Sequence, residues 1–572
     1  MQCGAILHVF SRAGCFRSIW AQAKIGDMVS FGAHFARCRG SRILAVLLVT
    51  TAFAAESLSA AEVETIPSDV DVCVYAATAG GIAAAVAAKR EGCSVLVVEP
   101  SRWLGGMTGG GIRLIDWGKR DTVGGFAASI FDDKRSDPHY RELFAKLLGD
   151  HGIPVLYEHR VSEVVREGGR IRALVLDYAP PDELGRPSAT AKTKAARTVR
   201  PRVVIDGSYE GDVMARAGVS YVWGRESRDR YGESLAGIRP PLAIYDIDPW
   251  RVPGDPSSGL LPLLQDVPVG PEGAADDLTM AYCFRWKLSS AEDRWPFGEP
   301  EAYDPARYEI FRRGFAAKVD MGLGRKMRHL GEYQVERGNF FSNNSCRALI
   351  AMSVAGLNRA YPEGDYATRA RIWKEHMEHI RGLIHFLRTD PVVPAAIRAQ
   401  AARTGLERGL FDETAGWPHQ LYVREARRMV GGYVLTQHDL AGTTAPEDSI
   451  GLGSYGVDDW PYATVALGGK VALQGGEFSI LRLGGPHDGV YRIPYRAIVP
   501  RMGECENLLV PVCLSASHIA MTSTRMEPVW TVVGESAGVA AALALRERVP
   551  VQQVPYAALR ARLLELGQKL DL

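Results

Sequence analysis

Three short segments near residue 70 set the pattern of the chain: DVCVY at 71–75, GIAAAVAAKREG at 81–92 and SVLVVEP at 94–100. The outer two are apolar without period-two alternation, as in strands buried on both faces of a parallel sheet. The alanine-rich stretch between them is made of strong helix formers and stops at Gly92, a residue suited to the left-handed helix end. The pattern predicts strand, turn, helix and strand within about 30 residues, the size of a dinucleotide-binding βαβ unit.

Further along, HRVSEVVREGGRIRALVLDYAP at 159–180 alternates apolar and polar residues around Gly168 and Gly169, which predicts a hairpin. Residues 181–196 are polar and read as a loop. DYATRARIWKEHMEHIRGLIHFL at 365–387 reads as a helix. Its His376, His379 and His385 can share a face like metal ligands or serve as helix-surface or interface residues; no HExxH-like pattern accompanies them, so no metal site is expected. WPHQLYVREARRMVGGYVLT at 417–436 places Arg424, Arg427 and Arg428 on a presumed helix, as a solvated or domain-bridging face.

Ahead of the first strand, Arg37, Arg39 and Arg42 precede an apolar run from Ile43 to Ala55, followed by small residues suited to cleavage after Ala54 or Ala61. This reads as an export signal. The run falls short of the roughly 20 residues that span a bilayer, so a permanent membrane anchor is the weaker reading. The 572 residues are 47% hydrophobic, enough for substantial cores, and 67 basic against 66 acidic side chains leave a formal charge of +1. That balance gives no support to nucleic acid or an anionic membrane as partner and is compatible with a small, roughly neutral substrate. Cys3, Cys15 and Cys38 lie in the removable region; Cys73, Cys93, Cys283, Cys346, Cys505 and Cys513 form no CxxC pair. They read as buried apolar fillers, with disulfides the alternative, and their spacing supplies no iron–sulfur site.

The candidate chemistry begins in VYAATAGGIAAAV at 74–86. The GxGxxG register puts Ala76 and Thr78 at the first two glycine positions and Gly81 at the third, next to Gly80. The third position allows close packing of helix on strand. At the second, Thr78 must tilt a cofactor or donate its own hydroxyl to it. A pyrophosphate would meet the free N–H groups of the helix N-terminus. Glu99 ends the second strand eighteen positions after Gly81, just before Pro100, where an acid receives ribose hydroxyls. An ordinary α/β unit would show the same turn. RWLGGMTGGG at 102–111 adds a second side-chain-poor loop, with Gly105, Gly106, Met107 and Thr108, of the kind a flavin requires close to the chain.

With these motifs the chain after residue 70 resembles the FAD-dependent oxidoreductases with a YGGTPAGI-type first turn. These are glutathione-reductase-like flavoproteins related to the heterodisulfide reductase A-like and fumarate-reductase-like proteins. Thr78 matches the family's threonine, whereas Ala76 and Ala77 depart from its paired glycines and Ala79 from its proline. Further matches are VVIDGSYEGDVMARAG at 203–218, with Asp206, Gly207 and Ser208, and the closing element at 504–545. The resemblance implies a backbone contact of Val161 with adenine, and a helix N-terminus around Gly534, Glu535 and Ser536 aimed at the flavin pyrimidine. It implies His518 and Arg525 near the flavin, as proton acceptor and as holder of an oxyanion or of the reduced flavin's charge; the alternative is that both fasten their loop. His419 and Arg424 are further candidates, and DSIGLGSYGVDDWPY at 448–462 is expected to line the pocket. The family carries a histidine near Asp459 that this chain lacks, so no relay through that position is expected. Iron–sulfur clusters of some relatives are not carried over.

The implied fold class is α/β: a glutathione-reductase-like FAD-binding Rossmann domain, discontinuous in sequence, with an inserted substrate/cap domain. Residues 1–61 form the export signal and extension, 69–238 the first part of the FAD-binding domain and 239–430 the substrate/cap region. Residues 431–549 return to the FAD-binding domain, and 550–572 form a C-terminal helix. The implied function is that of an exported FAD-dependent oxidoreductase, with non-covalent FAD, passing a hydride between a small organic substrate and the flavin, with an electron acceptor that the sequence does not specify. An NAD-linked dehydrogenase and a non-catalytic nucleotide-fold binding protein remain the rival readings.

Overall fold

The computed structural model describes residues 66–572 apart from 113–114, 133–134, 286, 323–347 and 477–480; the expected export signal lies outside the described residues. Strand β1 (Asp69–Tyr75), helix α1 (Ala79–Arg90) and strand β2 (Val95–Glu99) form the expected βαβ unit, with Val72 beside Val95 in parallel register. The sheet continues through β3 (Val155–Tyr157) on one side and β6 (Thr193–Asp206) on the other, and β7 (Leu508–Leu509) pairs with β6 in parallel. Strand β2 and Val72–Tyr75 of β1 are fully buried, which is why they read as continuous apolar runs.

The hairpin expected at 159–180 is β4 (His159–Glu167) and β5 (Arg170–Tyr178). Strand β6 is long enough to serve two partners: residues before 200 pair antiparallel with β5, and those from 200 onward pair parallel with β1. The loop read over 181–196 is therefore too long at its end, because β6 begins at Thr193. Its first residues are largely exposed, so their polarity concealed a strand.

Helix α4 (Glu527–Glu547) packs on α1, and small residues set the distance. A Cβ on Gly534 would collide with the Gly80 carbonyl, and one on Gly538 with that of Ala84. Helix α4 is apolar and long enough to cross a membrane, yet 94% of its apolar window is buried inside the protein.

In the inserted region, helix α2 (Tyr366–Thr389) starts at Asp365, whose carboxylate caps the N–H of Thr368. His376 and His379 are buried, and burial pushes them down to about 4 and about 3, so both are packed as neutral rings. His385 pairs with Glu299 on the surface. A three-stranded sheet joins Pro241–Tyr245 to Ala463–Leu467 and Lys470–Gln474. Segment 463–474, read as part of the returning FAD-binding domain, thus pairs with the inserted region.

The presumed helix around 424–428 is absent. Arg428–Met429 forms a short strand against Tyr221–Val222, and all three arginines are buried. Arg427 pairs with Asp212 and Glu363, and Arg428 with Glu226 and Glu425, so neutralised charge takes the place of the expected solvated face. Cys73, Cys93, Cys283, Cys505 and Cys513 are buried free thiols.

Candidate cofactor and active site

Between β1 and α1 the chain turns through Ala76 with φ +72°, in the left-handed region where an alanine costs about 1–2 kcal/mol. This is the physical demand that a glycine meets at the first position of the motif. Gly81 is fixed more strictly, because a Cβ there would strike the Ala76 carbonyl oxygen. Thr78 is the N-cap of α1: its hydroxyl accepts from Gly81 N at 3.0 Å and donates to the Gly207 carbonyl at 2.8 Å. The hydroxyl proton is committed, so donation from Thr78 to a cofactor, one of the two expectations, is not what this geometry offers. Gly80 faces the Trp530 carbonyl, and Gly207 passes against Gly81.

Glu99 stands beside this turn at the end of β2. Its oxygens accept from Ala77 N and Ser101 N, each at 2.7 Å, and burial raises its pKa against the pull of these donors. A cleft, partly open to solvent, runs from here, with Ala76, Thr78, Glu99, Pro100, Gly106 and Ser208 in its wall. The rest of the lining was not anticipated, apart from the candidate His419: Tyr361, Tyr366, Arg369 and Trp373 from α2 and the chain before it, with Glu210, Asp212 and Gln420. Tyr366, Arg369 and Trp373 recur at helical spacing, a signal present in the sequence but obscured by the histidines. Arg369 and Asp212 pair at 2.8 Å, while Glu210, held by the Tyr361 hydroxyl at 3.0 Å, is pushed up to about 7 by burial.

Val161 does not offer a free edge to adenine. Its N–H donates to the Tyr75 hydroxyl at 3.2 Å, its carbonyl accepts from Tyr366 at 2.7 Å, and it is fully buried. Asp206 likewise turns inward, accepting from Ser208, Val213 and Met214 N–H groups, and so anchors the chain leaving β6.

The glycine loop is tied to the first turn by Gly105 N donating to the Ala77 carbonyl at 2.7 Å. Met107 N donates to the Tyr209 hydroxyl at 2.9 Å, and Tyr209 and Thr108 both donate to Glu527, at 2.8 and 2.7 Å. Burial pushes Glu527 up to about 7. Glu527 opens α4, with Pro528 in the first turn, so the helix N-terminus lies seven residues before the expected Gly534. Gly534, Glu535 and Ser536 sit in mid-helix: Glu535 accepts from Phe126 N and Gln568, and Ser536 donates to the Ile450 carbonyl. The glycine marks a helix contact, and the proline marks the start.

His518 opens helix α3 (His518–Thr524), and Arg525 ends it; neither lines the cleft wall. Both ring nitrogens of His518 are engaged, Nδ1 with Glu425 at 3.2 Å and Nε2 with the Tyr462 hydroxyl at 2.6 Å. Tyr462 in turn donates to Asp459. Burial opposes charge on His518, but Glu425 and Asp459 outweigh it and raise the pKa. With both nitrogens occupied, His518 cannot take a substrate proton directly, and the geometry favours its fastening role. The hydrogen-bonded chain from Glu425 through His518 and Tyr462 ends on Asp459. Arg525 donates to Asp458 at 2.8 Å and to the Tyr422 hydroxyl at 3.3 Å, and its Nε has no partner. His419 stacks on Trp103 at 4.0 Å and pairs with Glu413 at 3.1 Å, and burial holds it down at about 4. No cluster of three or more His, Cys, Asp or Glu able to hold a metal occurs among the described residues.

The sequence pattern of the family described as FAD dependent oxidoreductase matches residues 71–563. No curated protein matches the chain. Among solved structures, thioredoxin reductase of T. acidophilum is 18% identical over 24% of this chain and 35% of its own length, with a TM-score of 0.17. A flavin-containing monooxygenase from Stenotrophomonas maltophilia is 18% identical over 28% of this chain and 43% of its own, with a TM-score of 0.19. Thermovibrio ammonificans THI4 is 15% identical over 33% of this chain and 76% of its own, with a TM-score of 0.21. The chain thus spans about a third of the thioredoxin reductase it resembles. The family match covers both parts of the parallel sheet and the region inserted between them: the chain belongs to the FAD-dependent oxidoreductase family, and its fold is the α/β fold of an FAD-binding Rossmann-type flavoenzyme.

Proposed function

We propose that this protein is an exported oxidoreductase that uses FAD, held non-covalently, to oxidise or reduce a small organic molecule by hydride transfer. The observation that carries the cofactor reading is the meeting of three features at one cleft: the first turn of α1, the buried carboxylate of Glu99 and the glycine loop tied to that turn. The residues fit the group. Ala79 and Gly80 N–H groups at the start of α1 have no partner one turn back and suit a diphosphate. Glu99 suits ribose hydroxyls; Gly106, in the cleft wall, must lack a side chain because Tyr209 and Thr78 pack against it.

When bound, FAD supplies hydride exchange with a substrate carbon. The protein's own contribution is to exclude water, hold charge and place the substrate. Glu527, fastened between Thr108 and Tyr209 in the first turn of α4, holds a proton near neutral pH. Arg525 holds positive charge ahead of the same helix. His518 keeps Arg525's helix in place through Glu425 and Tyr462.

Anaerobic reduction of the FAD-loaded protein across a screen of small organic substrates tests this reading. Bleaching of the flavin colour by a substrate and its return with an acceptor support it; FAD that no substrate reduces contradicts it. Export rests on the leader alone. The expected result is mature protein in the exported fraction beginning near residue 55 or 62; an intact leader on cytoplasmic protein would oppose export.

A further inference from the structure

A second group of charged side chains converges beyond the cleft wall, around the ring of Tyr422. The guanidinium groups of Arg285 and Arg424 each lie 4.8 Å from the ring centre, and Arg525 donates to its hydroxyl. Arg424 also lies 3.9 Å from the Trp460 ring centre. All three arginines are at most 2% exposed. Arg525 has Asp458 as its carboxylate partner, and Asp116 also faces it. Among the described residues, Arg424 donates to the Ala281 carbonyl and the Cys283 sulfur. Neither Arg285 nor Arg424 meets a carboxylate among the described residues, and Nε and Nη1 of Arg285, Nε of Arg424 and Nε of Arg525 have no hydrogen-bond partner. Among the described residues, three buried cations thus face two carboxylates. A buried charge without a partner is strongly unfavourable, and unpaired guanidinium N–H groups in a protein interior call for an anionic acceptor.

The group borders both elements expected to contact the cofactor. The carbonyl of Arg285 lies against Gly111 at the end of the glycine loop, Tyr422 is two residues from Gln420 in the cleft wall, and Arg525 stands two residues before Glu527, where α4 begins. We propose that Arg285, Arg424 and Arg525 form the substrate-binding end of the active site and that they receive a carboxylate, making the substrate a small organic acid. Guanidinium groups match carboxylates in planarity and in paired donors, and the Tyr422 and Trp460 rings lie against Arg285 and Arg424 without neutralising them. The inference rests on the reading of the neighbouring cleft as the FAD site. It replaces the neutral substrate suggested by the overall charge, since a balance over the whole chain is blind to a local surplus.

The test uses purified protein loaded with FAD, with succinate, malonate and acetate as probes and neutral succinamide as control at matched ionic strength. Binding is followed by the visible flavin spectrum and by thermal unfolding, and FAD content is measured for every sample. At least one carboxylate is expected to give a saturable response and succinamide none. Arg285→Gln and Arg424→Gln are expected to weaken carboxylate binding about tenfold or more with FAD content unchanged. Arg285→Lys and Arg424→Lys, which keep the charge, are expected to recover part of that loss and serve where a glutamine variant does not fold. The inference is overturned if FAD-loaded protein responds to no carboxylate or equally to succinamide. It is also overturned if the variants lose FAD while the protein that remains binds carboxylate normally, since the arginines would then serve the cofactor. Carboxylate binding in a protein that never takes up FAD would instead remove the flavin reading and leave this site standing.

Discussion

The turn at Ala76–Gly81 and the cluster around Tyr422 both suit negative charge, by opposite physical means. The turn offers backbone N–H groups and the partial charge of a helix end, built from alanine, threonine and glycine with no basic side chain. The cluster offers whole charges on three guanidinium groups, two of them over aromatic rings, and among the described residues it lacks enough carboxylates to cancel them. A backbone site depends on closeness of approach, so it tolerates almost no change of side-chain size. A side-chain site depends on charge and shape, so it tolerates a change of size better than a loss of charge.

The largest effect is expected where the backbone site is most crowded. Gly81→Val puts a side chain into the rigid Ala76 carbonyl and should destabilise the protein by about 3 kcal/mol or more, with loss of bound FAD. Denaturant unfolding and FAD content check this; a variant of normal stability that retains FAD would show that close approach at this turn does not matter.

Next is the pH response of Glu527, whose folded pKa of about 7 lies above its ordinary 4.5. A carboxyl raised on folding binds its proton more tightly in the folded state, so its contribution is full below about 4.5 and is lost as pH rises to about 7. Glu527→Gln should therefore gain stability relative to the parent at pH 8 compared with pH 5, by roughly 3 kcal/mol at most. Equal differences at the two pH values would mean that Glu527 is not protonated in the folded protein.

Glu99→Ala should weaken FAD binding by about 10- to 100-fold, the worth of hydrogen bonds to a charged group, measured by titrating apoprotein with FAD. Unchanged affinity would remove Glu99 from the site. The smallest effect is expected at Ala76. Ala76→Gly relieves a φ of +72° but adds freedom to the unfolded chain, for a net gain of up to about 1 kcal/mol in unfolding free energy. A destabilised variant would mean that the left-handed turn is not strained.

These same residues mark how far the sequence could be read. The βαβ unit, the hairpin at 159–180 and the role of Gly81 were legible because each is fixed by neighbours within a few tens of positions. The N-terminus of α4 was legible in principle at Pro528, but Gly534 drew the assignment inward, since a glycine placed for helix contact looks the same as one placed at a turn. The contacts of Val161 and Thr78 were not legible, because their partners Tyr366 and Gly207 are remote in the chain. The arginines at 424, 427 and 428 look like a solvated face until Asp212, Glu363, Glu226 and Glu425 are brought to two of them and, among the described residues, no carboxylate to the third. Convergence from residues 285, 424 and 525 leaves no local pattern at all.

The most direct test of the central claim is the visible spectrum and FAD content of the purified full chain, followed by anaerobic reduction. The account expects a yellow protein with stoichiometric FAD that is released intact on denaturation and is reduced and reoxidised in place. A colourless protein that takes up no FAD on reconstitution would contradict it.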